Sequence, residues 1–356
     1  PGVFLESFGG RSAGDNPAAI CEDLAAHGVG APLWWSVVDG TVRVPAGARP
    51  VVVGSPQWVE ALHTSRVIVT NDHLPSWFSK REGQHLLQTW HGTPIKKLLH
   101  DAPRAVTLRY RRLMDRQVPQ WDLLLAQSPQ AGRRLQQALG YRGPVRVGEY
   151  PRNVRLLGGA EVRRRVRHEL GIGQGQPVIL YAPTWRESLR PPTGAAGCSA
   201  AGGSGPAGAL DGARLAERLG AAVLMRSHHM NRAGRVPGTI DVSGYPNVEE
   251  LMLVADILVS DYSSIFFDFA LTGKPAVVYA PDLASYRDVE RGLYGDWPLD
   301  SGLPVAVDHD ELESHLQRLL GDIDVAEGCH SPLEVEPAPI LDNLTWIRGW
   351  IARFLS

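Results

Sequence analysis

Lysine is nearly absent from this chain. Only Lys80, Lys96, Lys97 and Lys274 carry an ammonium group among 36 basic residues; the rest are arginine. With alanine, glycine and proline abundant, this bias reads as the coding of a GC-rich genome, so arginine number alone is no functional signal. Cysteine is equally sparse: Cys21, Cys198 and Cys329 are far apart, odd in number and without CxxC spacing, which excludes a disulfide framework or a zinc site and fits a reducing, cytosolic compartment. No apolar run approaches the roughly 18 residues needed to span a bilayer, and no basic segment followed by an apolar one opens the chain. An excess of one charge is also missing. Lys+Arg is 36 against 38 Asp+Glu, a net charge of -2, so no basic field points to nucleic acid, and any polyanion must meet a local patch. What is present is a globular balance, 44% hydrophobic and 21% charged over 356 residues, enough for about two domains. The chain begins at Pro1, so it is expected to be a piece of a longer protein, with room upstream for a membrane anchor or another catalytic unit.

Short β-rich apolar runs recur at residues 51–53, 67–69, 86–89, 123–126 and 145–148, most of them separated by segments able to form a helix. A second series follows at 178–181, 222–225, 257–259, 276–279 and 305–307, with helical patterns at 210–219, 263–271 and 310–320. This rhythm predicts parallel α/β sheets. An Arg-rich helix over 161–170 separates the halves, so the expected division is a Rossmann-like domain over 1–155, a second over 156–340, and a C-terminal helix over 341–356 packing back across the seam. Residues 188–208, rich in Gly, Ala, Ser and Pro, read as a surface loop, with disorder favoured over a lid. Pro-rich 331–339 reads as a linker. In such sheets ligands bind beyond the carboxyl ends of the strands, which gives weight to the residues just after each run.

Five constellations stand there. Thr89-Trp90-His91-Gly92-Thr93-Pro94-Ile95-Lys96-Lys97 gathers an imidazole, hydroxyls and two cations. Pro94 suits the first turn of a helix able to receive an anion. An imidazole, which ordinarily titrates near ~6.5, is suited to take a proton from a hydroxyl, whereas the bland alternative is a hydrogen-bonded turn histidine. Arg226-Ser227-His228-His229 offers one more imidazole; no carboxylate or Cys stands at ligand spacing, so a metal pair is a poor reading. Ser260-Asp261-Tyr262-Ser263-Ser264 leads into a helix, where Ser263 or Ser264 either caps it or offers hydroxyl and N–H groups to phosphate, and Asp268 either accepts from ribose or is solvated. Arg152 and Arg186, with Thr184 nearby, end two strands and suit phosphate oxygens, against surface salt bridges. Finally, 104–116 carries Arg104, Arg109, Arg111, Arg112 and Arg116, with Val106, Tyr110 and Leu113 at helical spacing. It is either a solvated amphipathic helix or a patch for an anionic polymer or lipid headgroups.

Together these strings resemble the CDP-glycerol glycerophosphotransferase family of teichoic-acid primases and polymerases. The match runs from Phe4-Leu5-Glu6-Ser7-Phe8-Gly9-Gly10 and Asp15-Asn16-Pro17 through 89–97, Pro151-Arg152-Asn153, 181–186 and Arg226-Ser227-His228 to 260–268 and Gly273-Lys274-Pro275. Trp90-His91-Gly92-Thr93-Pro94 and Ser260-Asp261-Tyr262-Ser263-Ser264 in this order are the specific parts. His229 stands where many relatives carry proline, and Asp342-Asn343-Leu344-Thr345 is a loose form of the family's acidic tail motif. The resemblance implies an α/β, GT-B-like architecture of two Rossmann-like domains facing a central cleft, the donor held mainly by the second, in a cytoplasmic protein peripheral to the inner membrane face.

It also implies transfer of a polyol phosphate from CDP-glycerol or CDP-ribitol to a hydroxyl of a polyol-phosphate or saccharide acceptor, which can be lipid-linked, with CMP leaving. On that reading His91 is the base, and His228 with Arg186 steadies the leaving phosphate. Ser263, Ser264 and Thr184 hold the pyrophosphate, Asp268 and Arg152 are further donor contacts, and no cofactor is obligatory, Mg²⁺ travelling at most with the donor. The histidine roles are open to exchange. The rivals are a GT-B glycosyltransferase using a nucleotide sugar, and a non-catalytic nucleotide- or polymer-binding module of a longer synthase.

Overall fold

The computed structural model describes residues 2–102, 105–184, 210–226, 238–283, 286, 292–322 and 335–355. The chain divides into two compact units, residues 1–157 with 336–356, and residues 158–335. In the first, seven strands form one parallel sheet: β1 (Val3–Glu6), β2 (Leu33–Val37), β3 (Arg49–Val52), β4 (Val67–Thr70), β5 (His85–Gln88), β6 (Leu123–Ala126) and β7 (Val145–Val147), in the order β3-β2-β1-β4-β5-β6-β7. In the second, β8 (Val178–Tyr181), β9 (Ala222–Met225), β10 (Ile240–Asp241), β11 (Ile257–Ser260), β12 (Ala276–Tyr279) and β13 (Val305–Ala306) run in the order β10-β9-β8-β11-β12-β13. Every pairing is parallel. Both sheets are Rossmann-like, and the chain is α/β and GT-B-like. Strand order reverses between β1 and β4 and again between β8 and β11, the switch points where such folds bind ligands.

The two-residue period of the strands builds the cores. On one face of the first sheet Phe4, Ile68, Leu86 and Leu124 pack against helices Pro56–Thr64, Leu108–Gln117 and Pro129–Leu139. On the other, Val3, Leu5, Val67, Val69, Leu87 and Leu125 pack against helix Asp15–Ala26 and helix Pro337–Ala352. The C-terminal helix thus completes the core of the first unit. It begins at Pro337 rather than 341, and the expected Pro-rich linker supplies its first turn, because proline costs nothing where the N–H has no helical partner. In the second unit Ile179, Val223, Ile257, Val259 and Val277 pack against helices Gly212–Leu219 and His309–Asp322. Two helices start at textual signals: Ser55 before Pro56 accepts from Trp58 N (3.2 Å), and Ser128 before Pro129 accepts from Ala131 N (3.1 Å).

The runs read from the sequence correspond to strands, and β1, β2 and β10 are additional. β1 lies inside its sheet, between β2 and β4, yet it is four residues long and begins at the third residue, where no preceding turn marks it.

Candidate active site

At the first switch point the chain leaves β1 through Phe8, Gly9 and Gly10, all with positive φ (47°, 63° and 80°). A Cβ at Gly10 would lie 2.9 Å from Val53 Cγ2, so this turn needs glycine. The buried Asn71, just after β4, locks that turn: its Oδ1 accepts from Phe8 N (2.8 Å) and its Nδ2 donates to Ser7 Oγ (3.3 Å). The next loop, after β5, carries His91. Its ring is exposed, stacks on Trp90 at 4.8 Å between centroids, and sets Nδ1 2.9 Å from the Asn71 carbonyl. A carbonyl only accepts, so this contact requires the proton on Nδ1, and in the neutral ring the lone pair is then on Nε2, available to a hydroxyl.

Pro94 differs from expectation. No helix starts there; the chain runs extended to a short 3-10 turn at Leu99–Asp101, so the anion-binding helix end inferred from it does not exist. Arg152 also differs. It is 6% exposed, and Nη1 donates to Asp15 Oδ2 and to the His91 carbonyl, each at 3.0 Å, while its guanidinium lies 5.0 Å from the Tyr150 ring centre. A side chain so engaged supports the loop beneath His91 instead of forking onto a phosphate.

At the second switch point Asp261, buried after β11, accepts from Thr184 N (2.8 Å) and Tyr262 N (2.6 Å), tying the exit of β8 to the exit of β11. Ser263 and Ser264 are half-buried beside it. Ser263 Oγ accepts from Ile265 N (3.3 Å), and helix Ile265–Ala270 is shorter than the expected 263–271. Asp268 is 2% exposed, so it is not the solvated carboxylate of the bland alternative. Arg226 is given over to structure: Nη1 donates to the carbonyls of Val242 (3.2 Å) and Tyr245 (2.8 Å). Arg186, His228 and Arg104, with the loop 188–208, lie outside the described residues.

The basic helix spans Leu108–Gln117, capped by Thr107 Oγ1 accepting from Tyr110 N (3.2 Å). Its buried residues are Met114 and Gln117; of the Val106, Tyr110 and Leu113 stripe, Val106 packs against the core ahead of the helix, Leu113 is half-buried, and Tyr110 is exposed and meets the His73 ring edge-on at 5.7 Å. Arg109, Arg112 and Arg116 are exposed on one face with Leu108 (57% exposed) near them in the first turn, and Arg111 is half-buried. Asp15, Asn16, Asn71 and Lys274 carry no role in the sequence reading. Only the Asp15-Asn16-Pro17 string hinted at the first two; a lone Asn after an apolar run gives no sign of Asn71.

A family model described as CDP-Glycerol:Poly(glycerophosphate) glycerophosphotransferase matches residues 2–327. The chain is 30% identical over 320 residues to the teichoic acid poly(glycerol phosphate) polymerase of Bacillus subtilis (strain 168), covering 85% of this chain and 42% of that protein. It is 29% identical over 331 residues to the teichoic acid glycerol-phosphate transferase of Staphylococcus aureus (strain NCTC 8325 / PS 47), covering 89% and 83%. It therefore spans less than half the length of the Bacillus subtilis relative. The solved structure of the wall teichoic acid polymerase TagF superposes with a TM-score of 0.82 at 27% identity, over 99% of this chain and 88% of that one. A UDP-GlcNAc 2-epimerase from Neisseria meningitidis shares the fold alone, with a TM-score of 0.54 at 12% identity over 98% of this chain and 100% of that one. With its fold, its ordered motifs and a family match over nearly the whole chain, this protein belongs to the CDP-glycerol:poly(glycerophosphate) glycerophosphotransferase family.

Proposed function

We propose that this chain transfers glycerol phosphate from CDP-glycerol to a hydroxyl of a teichoic-acid or capsule-like polymer, releasing CMP. The observation that carries the reading is the His91 ring, exposed on its outer side and held at Nδ1 by the Asn71 carbonyl. Nε2 takes the proton of the acceptor hydroxyl as its oxygen attacks the glycerol-bearing phosphorus. The bond from that phosphorus to the bridging oxygen breaks, and the electron pair leaves with CMP. On the donor side Ser263, Ser264 and Thr184, gathered at the exits of β8 and β11, receive the pyrophosphate, and His228 and Arg186, on the sequence reading, steady the charge on the leaving group. No metal is obligatory in this scheme, and Mg²⁺ accompanies the donor at most. The family name and the glycerol-phosphate relatives favour CDP-glycerol over CDP-ribitol. A TagF structure soaked with CDPG supports the donor class.

The test is CMP release from CDP-glycerol and CDP-ribitol, with and without a short polyol-phosphate acceptor, beside UDP-sugar controls and an EDTA arm. Acceptor-dependent release from CDP-glycerol, falling at least about 100-fold in His91→Ala with donor affinity nearly intact, is the expected result. Turnover of a sugar nucleotide alone would sink the donor assignment, and CDP-glycerol binding without turnover would favour a non-catalytic module.

The exposed Arg109, Arg112 and Arg116 beside Leu108 support a peripheral seat on the anionic inner membrane face, within reach of a lipid-linked acceptor. Among the described residues no helix is long and apolar enough to cross a membrane. Sedimentation with phosphatidylglycerol vesicles is expected to weaken on the order of 100-fold when the three arginines become glutamine; unchanged binding would remove this helix from the interface.

A further inference from the structure

Asn16 and Arg152 are 136 residues apart, yet they meet Asp15 beneath one short loop. Asn16 Nδ2 donates to the carbonyls of Thr89 (3.4 Å) and Trp90 (3.2 Å), and Arg152 Nη1 donates to the carbonyl of His91 (3.0 Å). Three successive carbonyls, 89 to 91, are thus each held by a side chain. The holders are joined to one another: Arg152 Nη1 also donates to Asp15 Oδ2 (3.0 Å), and Arg152 N donates to Asn16 Oδ1 (3.2 Å). The ion pair is buried, its side chains 8% and 11% exposed, so salt screens it little. Both ends of the arrangement hold non-glycine residues at positive φ, Asp15 at 63° and Trp90 at 55°. Such conformations persist only where the surroundings over-determine them, and they concentrate where a side chain must be presented in one orientation.

We propose that Asp15, Asn16 and Arg152 form a positioning hub that fixes the loop carrying His91, so that the ring keeps its Nδ1 proton on the Asn71 carbonyl and presents Nε2 to the acceptor hydroxyl. This rests on His91 being the base. The hub does not touch substrate; it acts by holding the nitrogen where the hydroxyl arrives, and a misplacement of about 1 Å costs on the order of 100-fold in rate.

Long-range ¹H–¹⁵N NMR of the histidine rings in the full chain tests the hub, with the His91 signals identified by their loss in His91→Ala, together with steady-state CMP release from CDP-glycerol. Arg152→Lys keeps the charge and loses the guanidinium geometry, whereas Asn16→Ser leaves the ion pair in place. Thermal melts establish that each is folded. The wild-type His91 is expected to be a single Nδ1–H tautomer. Each variant should show mixed tautomers and a kcat lower by about 10- to 100-fold, with KM for CDP-glycerol within about threefold. A raised KM with tautomer and kcat unchanged would overturn the hub and return Arg152 to the donor phosphates; an unchanged ring and unchanged kinetics would overturn it outright. Should Arg152→Lys not fold, Asn16→Ser decides by the same criteria. A wild-type protein that turns over no CDP-glycerol would defeat the substrate assignment, while the NMR arm still judges the hub.

Discussion

Glu6 closes β1 inside the first unit at 2% exposure, its Oε2 accepting from Ser36 Oγ at 2.7 Å, and Ser36 Oγ accepts in turn from Trp58 Nε1 at 2.7 Å. Burial, with Asp72 adding to it, pushes its carboxyl from an ordinary 4.5 up to about 7 against the opposing pull of Ser36, His73 and Arg11. Between those two values the folded chain binds a proton that the unfolded chain has lost. Stability therefore falls as pH rises from 4.5 to about 7 and levels off above, a span on the order of 3 kcal/mol. Glu6→Gln keeps an acceptor for Ser36 and removes the titration. Urea unfolding at pH 5 and pH 8 is expected to show the variant nearly as stable at both, with the wild type distinctly weaker at pH 8; equal wild-type stability at the two pH values would refute this. The same scale explains the reassignment of Arg152. A guanidinium after a strand suits a phosphate, and only the approach of Asp15 and the His91 carbonyl gives it other work.

Helix Val248–Val254 is short and ends inside the second unit, where its last carbonyls need donors. Lys274 Nζ donates to the carbonyls of Met252, Leu253 and Ala255 at 3.2, 2.8 and 2.7 Å, and Arg163 Nη1 donates to Leu253 and Val254 at 2.8 and 2.6 Å. Two buried cations thus sit at the negative end of the helix dipole, and Arg163 is balanced by Asp256 at 2.6 Å. Lys274→Met, similar in shape but without the donors, is expected to cost about 3 kcal/mol, read from denaturant midpoints; a loss below about 1 kcal/mol would mean that Arg163 suffices. The Gly273-Lys274-Pro275 string marks this position in the sequence without revealing its task, because a lysine beside a turn has the same appearance whether it binds phosphate or caps a distant helix. The strands were legible for the opposite reason. Their apolar runs are continuous, as buried parallel strands require, and each is its own signal. β1 and β2 escaped because the first abuts the chain start and the second, Leu33–Val37, carries two adjacent tryptophans and a serine.

Over the whole molecule, the first unit is made of two stretches of chain, 1–157 and 336–356. Ile347 and Ile351 are fully buried against the first sheet, Arg348 pairs with Asp23 at 2.7 and 2.9 Å, and Asn343 joins Arg146 Nε (2.9 Å) to the Glu149 carbonyl (2.7 Å). Asn343, part of a tail motif in the sequence, is therefore a staple within this unit. Ile347→Ala is expected to cost about 3 kcal/mol and to lower hydrogen-exchange protection in β1, β4 and β5 while β8, β11 and β12 keep theirs. Loss of protection across both sheets would show that the units unfold as one.

Local pattern was enough to determine two α/β units, the strand exits where chemistry belongs, and the ordered motifs of a glycerophosphotransferase, because a buried strand and a loop motif are written in a few consecutive residues. Partnership was not. That Asn16 and Arg152 hold the His91 loop, that Asn71 orients its ring, that Asp268 is buried and that the last helix returns to the first sheet all depend on contacts between distant segments. Burial and hydrogen-bond geometry assign those roles among side chains whose chemistry alone suits several, and they exist only once the chain has closed on itself.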